Sequence, residues 1–534
     1  MQAPELSATV IDYINEIKEN YEQQIKELQN KFEKKINEAR EYQYKYLEIQ
    51  ERYNLLIFKR FVRSAEQLKA DQSQPQLFTE EELKPEISEE KQTVQFIEVK
   101  SFKRGKKGRK AIPENIRRVE RIIDIPESEK ICKCGSTLTK IGEETSEEIV
   151  YIPAQMYVDK KVRPKYACRS CEGTEDEGKP AVRIAPVEPS IIPRSIVSPS
   201  LLSCIITQKY QDHLPFYRQE RQFQSIGVKI SRQDMSNWQQ KAYKAVEPIF
   251  ELLKKTLKSG PVMQMDETPV QVMGEEGRKD TQKSWMWLAR GGPKNKKVIL
   301  YEYYQTRAAK NAKELLDGYC GYLQTDGYES YDCAVKDMPG IIHVGCFAHA
   351  RRKFFEASQV SEQAQTAKEG LEYIRSLYHI ENKARADKEQ DKQTDEQFLQ
   401  NRKELANPVL EAFKQWLLSN ENKLPPTLLL GKAIRYSLGQ WDKLIRYLES
   451  PELTPDNNAC ENAIRPFVIG RKNWLFNQSP DGAESSCGMY SLIETAKQNG
   501  LVPLHYLNVL FEKAPYASSP EDWEKLLPWN IFTA

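Results

Sequence analysis

The stretch that decides the fold is PVMQMDETPVQV, residues 261–272, an apolar run interrupted by Asp266. Four more strand-like runs follow it: KSWMWLAR (283–290), KVILYEYY (297–304), GYLQTDGYESY (321–331) and GIIHVG (340–345). Between the third and fourth runs, residues 308–316 have the spacing of a helix. Three consecutive strands, a helix and two further strands predict a mixed α/β sheet of the ribonuclease H type.

Helical patterns dominate the chain after this sheet. They extend from about residue 350 to 450, and we expect Thr454-Pro455-Asp456 to start another helix, with the Thr454 hydroxyl as N-cap and proline at the first helical position.

Three acidic residues stand where acids are unexpected. Asp266 interrupts the first strand, Asp326 ends the strand at 322–325, and Glu461 lies early in the helix after Pro455. Buried carboxylates need a cation or a basic partner. Two Mg²⁺ or Mn²⁺ ions held by carboxylates promote attack of a water or a DNA 3′-hydroxyl on a phosphodiester. An ordinary salt bridge is the alternative for each acid alone.

Basic residues follow the third acid at useful spacings. Arg465 is four residues after Glu461 and Lys472 is eleven after, so one helix face could hold all three if Pro466 does not kink it. We expect Arg465, Arg471 and Lys472 to face phosphates.

A helix-turn-helix pattern occupies residues 198–241. Helices are predicted at 199–210, capped by Ser198, at 216–223, and at 232–241, capped by Ser231 after the turn at Gly227. Arg232 and the polar residues near it suit a helix that reads a DNA major groove. A plain helical hairpin is the alternative.

Four of the ten cysteines form two close pairs, Cys132/Cys134 and Cys168/Cys171, separated by an alternating, strand-like stretch. Two thiolate pairs flanking a strand hairpin predict a tetrahedral zinc ribbon, although the C-x-C spacing of the first pair strains its turn. Four free cysteines in a small β unit are the alternative.

Residues 8–67 are predicted to form one long helix. Eleven positions from Tyr21 to Leu56 follow 4-3 spacing, and ten of them are apolar or aromatic. Such a seam predicts a coiled coil, intermolecular or folded back on itself, rather than a helix packed on its own protein.

Charge is balanced overall and segregated locally. The chain has 534 residues, which predicts two to five domains, and a formal net charge of +2. Residues 71–98 carry eight acids and two basic residues, whereas residues 100–121 carry ten basic residues and two acids. The basic segment is either a solvated linker or an arm that contacts DNA phosphates through Lys103, Arg104, Lys106, Lys107, Arg109 and Lys110.

No membrane span or signal peptide is expected, because no window approaches ~18 consecutive apolar residues and the N-terminus lacks a basic segment before an apolar one. We therefore expect a cytoplasmic protein; that it is bacterial, and associated with the nucleoid when bound to DNA, is implied only by the family resemblance given next.

These motifs together resemble the transposases of the insertion sequence 66 family. The resemblance covers nearly the whole chain and is carried by MQMDETPVQV, LQTDGYESY, HVGCFAHARRKFFEA, NNACENAIRPFVIGRKNWLF and YSLIETAKQNGLVPLHYL, with RPKYACRSCEG as a zinc segment and LPFYRQERQF as a helix-turn-helix region. It implies a DDE catalytic core with Asp266, Asp326 and Glu461 as metal-binding acids. It also implies that the helical segment of about 350–450 is an insertion between the second and third acids.

Two segments differ from the family pattern by one feature each. The first cysteine pair is C-x-C, where the family has C-x-x-C, which leaves zinc binding there in doubt. The segment from Cys346 to Phe354 resembles the family motif CWAHARRKF with Phe347 in place of Trp. We expect His349 or Arg351 to contact phosphate near the active site; a buried cysteine with a core histidine is the alternative.

The sequence therefore predicts a multidomain α+β DNA transposase that binds terminal inverted repeats, cleaves phosphodiesters with two metal ions and joins 3′-hydroxyl ends to target DNA. Its partners would be DNA, a second copy through the coiled coil, and small accessory proteins of the same element. A nuclease without strand transfer and a non-catalytic DNA-binding regulator are the alternatives. The predicted divisions are 1–70 coiled coil, 71–121 charged linker with basic arm, 122–190 zinc ribbon, 191–258 helix-turn-helix, 259–349 first part of the core, 350–453 helical insertion, and 454–534 second part of the core with a C-terminal segment.

Overall fold

A computed structural model of the chain describes residues 8–61, 156–167 and 182–531. The chain divides into two compact units, one made of Met1–Lys84 with Glu188–Ala534 and the other of Pro85–Val187. In the described ranges, no helix combines the length and the apolar character that crossing a membrane requires.

The N-terminal helix α1 runs from Ala8 to Phe61, as the 4-3 spacing predicts over these residues. The nine large apolar side chains of its seam are 54–73% exposed: Tyr21, Ile25, Leu28, Phe32, Tyr42, Tyr46, Ile49, Tyr53 and Leu56. No described segment covers this seam, so its partner in a coiled coil has to come from outside the described residues.

The second unit shows one small antiparallel sheet. Strand β1 (Lys165–Ala167) pairs with β2 (Val182–Ile184), with Lys165 opposite Ile184. The alternating residues 156–164 are not a strand, contrary to expectation. Tyr157 is 91% exposed. No described core therefore lies against this stretch, and an alternating pattern favours a strand only where one face is buried.

Four helices precede the main sheet; the first three start where they are predicted to, and the fourth was not predicted. They are α2 (Pro199–Tyr210), α3 (Phe216–Ser225), α4 (Arg232–Ala245) and α5 (Glu247–Lys258). The Ser198 hydroxyl accepts from the Leu201 amide at 3.2 Å, and Ser231 forms a capping box with Asp234. Both predicted caps are therefore confirmed.

The main sheet begins as an antiparallel meander of β3 (Val262–Gln271), β4 (Lys283–Gly291) and β5 (Val298–Tyr304). Helix α6 (Ala309–Leu316) then crosses to β6 (Gly321–Gln324), which pairs parallel with β3. Helix α7 (Glu329–Val335) leads to β7 (Ile341–Val344), parallel with β6. The order is β5-β4-β3-β6-β7.

The strand-like run at 321–331 forms a strand only in its first part, and the strand predicted at 322–325 agrees with the observed one to within one residue at each end. The observed strand ends at Gln324, and residues from Glu329 onward form α7 instead. Gly327 has φ +81°, a left-handed conformation that breaks strand geometry and favours glycine. The helix after it carries the chain back across the sheet to β7, as a parallel connection requires.

Residues after β7 form the predicted helical region. Its elements are α8 (Phe347–Val360), α9 (Ala364–Gln390), α10 (Asp395–Glu421), α11 (Leu429–Gly439), α12 (Trp441–Ile445) and a 3₁₀ turn (Arg446–Glu449). They enclose a hydrophobic core of their own that includes Phe354, Phe413 and Leu444.

The C-terminal side of α1 packs on this helical region through the face opposite its seam. Glu51 is buried, and its Oε2 accepts from the Leu429 amide at 2.8 Å, at the start of α11. Phe58 meets Phe355 edge-on at 6.3 Å between ring centroids, and Lys59 Nζ lies 2.7 Å from Glu356. One helix thus presents a packed face and an exposed apolar face.

The chain returns to the sheet through α13 (Asn458–Trp474), α14 (Pro480–Gln498), α15 (Pro503–Lys513), a 3₁₀ turn (Ala514–Tyr516) and α16 (Pro520–Lys525). The expected cap at Thr454 is wrong, because α13 begins at Asn458 and no side chain caps it. Instead, the Pro455 carbonyl accepts from the Phe347 amide at 2.9 Å, which ties this segment to α8 rather than to a helix start.

Helix α14 covers the free edge of the sheet. The Tyr301 amide donates to Ser491 Oγ at 2.8 Å, and the Ile299 amide donates to Thr495 Oγ1 at 3.0 Å. Hydroxyls on one helix face therefore take the place of a further strand beside β5, which protects an edge that would otherwise invite pairing with another chain.

Candidate active site

Two neighbouring parallel strands lead the first two predicted acids to one end of the sheet. Gln264 of β3 pairs with Gln324 of β6, and the Gln264 side-chain amide donates to the Gln324 side chain at 2.8 Å. Asp266 and Asp326 each lie two residues beyond this pair. The register therefore places the two acids beside each other where β6 ends.

The third acid, Glu461, lies in the first turn of α13. Asn457, just before this helix, fixes its start: Nδ2 donates to the Met265 carbonyl at 3.0 Å, and its amide lies 3.3 Å from Cys346 Sγ. Since Met265 directly precedes Asp266, these contacts hold the start of α13 against the strand that carries the first acid.

The pKa of Asp266 reflects its burial and the acids near it. Burial, together with the negative charges of Glu267, Glu461 and Asp326, raises the pKa of Asp266 to about 8. A carboxyl that resists ionisation because it is buried, and because other acids lie near it, is a carboxyl that a cation would stabilise in its charged form.

A fourth acid, Glu267, which was not predicted from the sequence, lies next to Asp266 and is held by hydrogen bonds. Glu267 is buried and accepts hydrogen bonds from the Arg307 guanidinium and the Tyr331 hydroxyl. Arg307 Nη2 also lies 3.9 Å from Asp326 Oδ2, and its guanidinium stacks 3.6 Å from the Tyr328 ring centroid. The sequence held one indication of this residue: Glu267 directly follows Asp266, and successive side chains of a strand point to opposite faces of the sheet.

A second supporting chain fixes the residue before Asp326. Thr325 Oγ1 lies 2.8 Å from His343 Nε2, and His343 Nδ1 lies 2.8 Å from Asp332 Oδ1. Lys443 Nζ donates to both carboxylate oxygens of Asp332 at 2.6 and 2.7 Å. The bonds to His343 and Lys443 lower the pKa of Asp332 to about 2. No sequence motif pointed to this chain, whose members come from four separate elements.

Glu461 has three notable neighbours. His349 Nδ1 lies 3.8 Å from Glu461 Oε1, and both atoms are buried without a hydrogen-bond partner. Arg352 Nη2 lies 3.5 Å from Glu461 Oε2. One ligand atom each of Cys346, His349 and Glu461 lies within 4.8 Å of the other two. The C-x-x-H motif thus lies beside the third acid, and burial lowers the pKa of its histidine.

The predicted phosphate-binding cations are placed unevenly. Helix α13 continues through Pro466 to Trp474, and Arg465 and Lys472 are exposed on it. Arg471 instead turns to β3, where it donates to Thr268 Oγ1 at 2.9 Å and to the Pro269 carbonyl.

Arg351 is half-buried with its guanidinium 5.7 Å from the Phe355 ring centroid, and Arg352 Nη2 lies 3.5 Å from Glu461 Oε2.

The remaining predicted residues lie farther away or outside the described ranges. Arg232 is exposed at the start of α4, and its amide donates to Glu220 Oε1 at 3.3 Å. The basic arm and the four zinc-ligand candidates are outside the described residues: Lys103, Arg104, Lys106, Lys107, Arg109, Lys110, Cys132, Cys134, Cys168 and Cys171.

Four family models match the chain in succession. Residues 48–121 match "Transposase C of IS166 homeodomain", and residues 129–172 match the zinc-finger binding domain of transposase IS66, which spans all four paired cysteines. Residues 194–485 match the transposase IS66 family, and residues 491–529 match the IS66 C-terminal element. The first match crosses the predicted boundary between coiled coil and linker.

Similar proteins occur in Sinorhizobium fredii strain NGR234. The uncharacterized protein y4jD is 29% identical over 430 residues, which cover 78% of this chain and 81% of the relative. The uncharacterized protein y4hP is 27% identical over 463 residues, covering 83% and 81%. With a transposase model matched across more than half of its length, a zinc-finger domain before it and a C-terminal element after it, this chain belongs to the IS66 family of transposases.

Proposed function

We propose that this chain is a DDE transposase in which Asp266, Asp326 and Glu461 hold two divalent ions that cleave and join DNA. The observation that carries the proposal is the register of β3 and β6, which sets Asp266 beside Asp326, together with the hydrogen bond from Asn457 to the Met265 carbonyl, which holds the start of α13 near Asp266. The strand order β5-β4-β3-β6-β7, antiparallel then parallel, supports a core of the ribonuclease H type.

The residues present suit a hard divalent cation. Carboxylate oxygens are the ligands that Mg²⁺ and Mn²⁺ prefer. Asp266 is held near neutrality by burial and by its acidic neighbours, and Glu461 Oε1 is buried without a hydrogen-bond partner. Both features are unfavourable in the metal-free protein and favourable once positive charge is bound between the acids.

Two bound Mg²⁺ or Mn²⁺ ions would activate the attacking oxygen and stabilise the leaving oxygen. In cleavage, a water oxygen forms a bond to phosphorus while the 3′-oxygen leaves as a hydroxyl. In joining, that hydroxyl attacks a phosphodiester of the target and displaces another 3′-oxygen. The two steps need the same ligands, so one site serves both.

The chain's own side chains would position the acids and the DNA. Arg307 holds Glu267 and Asp326 in place through its guanidinium, at 3.9 Å from the latter. His349 and Arg352 flank Glu461 at 3.8 and 3.5 Å, on the side where a phosphate bound at the acids would need donors. We assign these last two to phosphate contact, with Arg352 in place of the expected Arg351.

DNA recognition is assigned to the segments before the core. Arg232 at the start of α4 would read bases in the terminal inverted repeats, with exposed Arg465 and Lys472 on α13 facing phosphates. We further propose zinc at Cys132, Cys134, Cys168 and Cys171, phosphate contact by the basic arm at 103–110, and a dimer formed through the seam of α1. Accessory proteins of the same element complete the proposed partners.

Asp266→Asn tests the catalytic assignment. We expect Mg²⁺-dependent cleavage of a duplex carrying the terminal repeat to fall at least ~10³-fold, while binding measured by fluorescence anisotropy stays within about twofold. Asp337→Asn, an exposed acid outside the cluster, is the matched control. Tight binding by the wild type without cleavage under any metal would favour a non-catalytic regulator instead.

A strand-transfer assay separates the transposase from a simple nuclease. Duplexes with a pre-cleaved 3′-hydroxyl end are mixed with supercoiled plasmid, and joined products are sequenced. Joining that requires Asp266, Asp326 and Glu461 supports the proposal; cleavage of intact ends without any joining would leave only the nuclease.

A further inference from the structure

The turn that ends α13 exposes two large apolar side chains. Leu475 is 68% exposed and Phe476 is 43% exposed. Leu475 also has φ 68° and ψ −47°, a region that costs a branched side chain free energy. Among described residues, four other than glycine have positive φ, and Leu475 is the one with an apolar side chain. Strain and apolar exposure coincide at this turn.

The turn cannot relax, because both of its sides are anchored. On one side, the Leu475 amide donates to the Arg471 carbonyl at 2.7 Å, and Trp474 packs edge-on against Tyr210 at 6.2 Å between centroids. On the other side, the Asn477 amide donates to the Gln271 carbonyl at 2.9 Å, at the end of β3. The fold therefore holds an unfavourable conformation whose effect is to present two apolar side chains outward.

Helix α13 runs from the first turn that carries Glu461 to this turn. Residues Glu461, Arg465 and Lys472 are spaced by four and seven, which places them on one face of the helix. At about 1.5 Å per residue, the turn lies about 21 Å from Glu461 along the helix. At about 3.4 Å per base, this distance equals about six base pairs.

We infer that Leu475 and Phe476 form an apolar wedge that enters the transposon-end duplex about six base pairs from the cleaved bond. The inference rests on the proposed function, since that function places the scissile phosphate at Glu461. The exposed cations between the two points favour a polyanion over a protein partner. Aromatic and aliphatic side chains inserted between base pairs unstack them and bend the duplex.

Phe476 supplies the surface on which a base stacks, and Leu475 fills the step beside it. The rigid anchoring matters because a wedge that yields would fold back on the protein instead of separating bases. A distortion of the duplex at this distance would fix the position of the scissile phosphate of the transposon end relative to the acids. This positioning would be independent of base recognition by α4.

The test uses 2-aminopurine, whose fluorescence rises when it is unstacked. It is placed singly at positions three to nine from the cleavage site in a duplex with the terminal repeat that flanks the coding sequence. Full-length wild type is expected to raise the signal severalfold at one or two adjacent positions near six. Phe476→Ser should abolish the rise and weaken binding about tenfold. Leu418→Ser, at a 45% exposed leucine of α10, should change neither.

Leu475→Gly guards against a folding artefact. Glycine accepts positive φ, so this variant should melt at a higher temperature than the wild type while losing the fluorescence rise. Equal signals from the wild type and Phe476→Ser would overturn the wedge, as would a change in oligomeric state for Phe476→Ser with an unchanged signal, which would indicate a protein partner.

Asp266→Asn separates this inference from the catalytic proposal. The wedge requires that this variant keep the fluorescence rise although it does not cleave. A rise in the wild type without any cleavage would refute the catalytic assignment and leave the wedge standing, whereas cleavage without a rise at any position would refute the wedge alone.

Discussion

At the scale of single residues, Asp266 makes the metal-free protein sensitive to pH. Its pKa is raised from 3.8 to about 8, so the folded state holds a proton there that the unfolded state has lost above pH ~4. The folded state therefore loses stability as pH rises toward and through about 8. We expect Asp266→Asn to be more stable than the wild type by about 1–3 kcal/mol at pH 9 and by little at pH 5.

Urea unfolding in EDTA at both pH values measures this difference. Glu329→Gln, at an exposed acid on α7, is the control and should leave stability unchanged at either pH. A gain for Asp266→Asn that is the same at pH 5 and pH 9 would contradict an elevated pKa. Mg²⁺ should stabilise the wild type far more than the variant, because binding of the ion requires the ionised acid.

Arg307 offers a second test at this scale. Arg307→Gln leaves the Glu267 carboxylate buried without its cation and frees Asp326, so we expect a loss of about 2 kcal/mol in stability and a 10–100-fold loss in cleavage. Chemical unfolding and single-turnover cleavage measure the two effects.

A matched cluster elsewhere in the sheet provides the control. Glu275 is also buried and is held by Arg278 at 3.0 Å and by the Tyr303 hydroxyl. Arg278→Gln should destabilise the protein to a similar degree while cleavage at saturating Mg²⁺ stays within about threefold. Equal losses of activity in the two variants would mean that Arg307 acts through stability alone.

At the scale of elements, α1 is the clearest case for experiment. Ile49 is 67% exposed on the seam, so Ile49→Glu should disrupt pairing of two copies without unfolding the rest. We expect at least a tenfold weaker dimer by analytical ultracentrifugation and an unchanged melting temperature for the main unit. Asn30→Glu, on the opposite side of the heptad, adds the same charge and should leave the dimer intact; a dimer unaffected by Ile49→Glu would exclude the seam.

Elements with local signals were predictable, and elements set by distant contacts were not. The starts of α2 and α4 follow from Ser198 and Ser231, because a cap and its helix lie within four residues. The start of α13 was missed since the Pro455 carbonyl is used by Phe347, more than 100 residues earlier. The strand at 322–325 was predicted to within one residue, whereas the rest of the run to Tyr331 was grouped with it although α7 begins at Glu329, after the turn at Gly327.

The candidate site shows the same division. Asp266, Asp326 and Glu461 were recognisable as acids in apolar surroundings and by family resemblance. Arg307 and the Thr325–His343–Asp332–Lys443 chain were not, because ordinary polar residues acquire a role only when the topology brings them together.

At the scale of the whole molecule, the helical region and the sheet have separate hydrophobic cores. Arg402, fully buried in α10, donates to the carbonyls of Tyr447, Ser450 and Leu453 at 2.6, 2.7 and 3.1 Å. These residues lead directly into the segment that positions Glu461. The helical region therefore holds the third acid in place as well as covering the sheet.

Arg402→Met tests this connection. Breaking a buried ionic cluster costs about 3 kcal/mol, and we expect amide exchange at 447–460 to accelerate and cleavage to need more Mg²⁺. Arg375→Met, which removes the partner of Glu372 in α9, should cost about 0.5 kcal/mol and leave exchange at 447–460 unchanged. Faster exchange confined to α10, with unaltered metal dependence, would show that Arg402 only stabilises its own helices.

The exposed seam of α1 also has a consequence for how activity would depend on protein concentration. Where copies of the protein are few, the number of pairs grows with the square of the number of copies, so a doubling of expression gives about a fourfold rise in pairs. If DNA cleavage requires a dimer, it would be rare in a cell that holds a few molecules of the protein and would rise steeply in a cell that holds many. With the proposed pairing through α1, whose seam no described segment covers, transposition would depend on how many copies of the protein the cell holds, and would stay rare where copies are few.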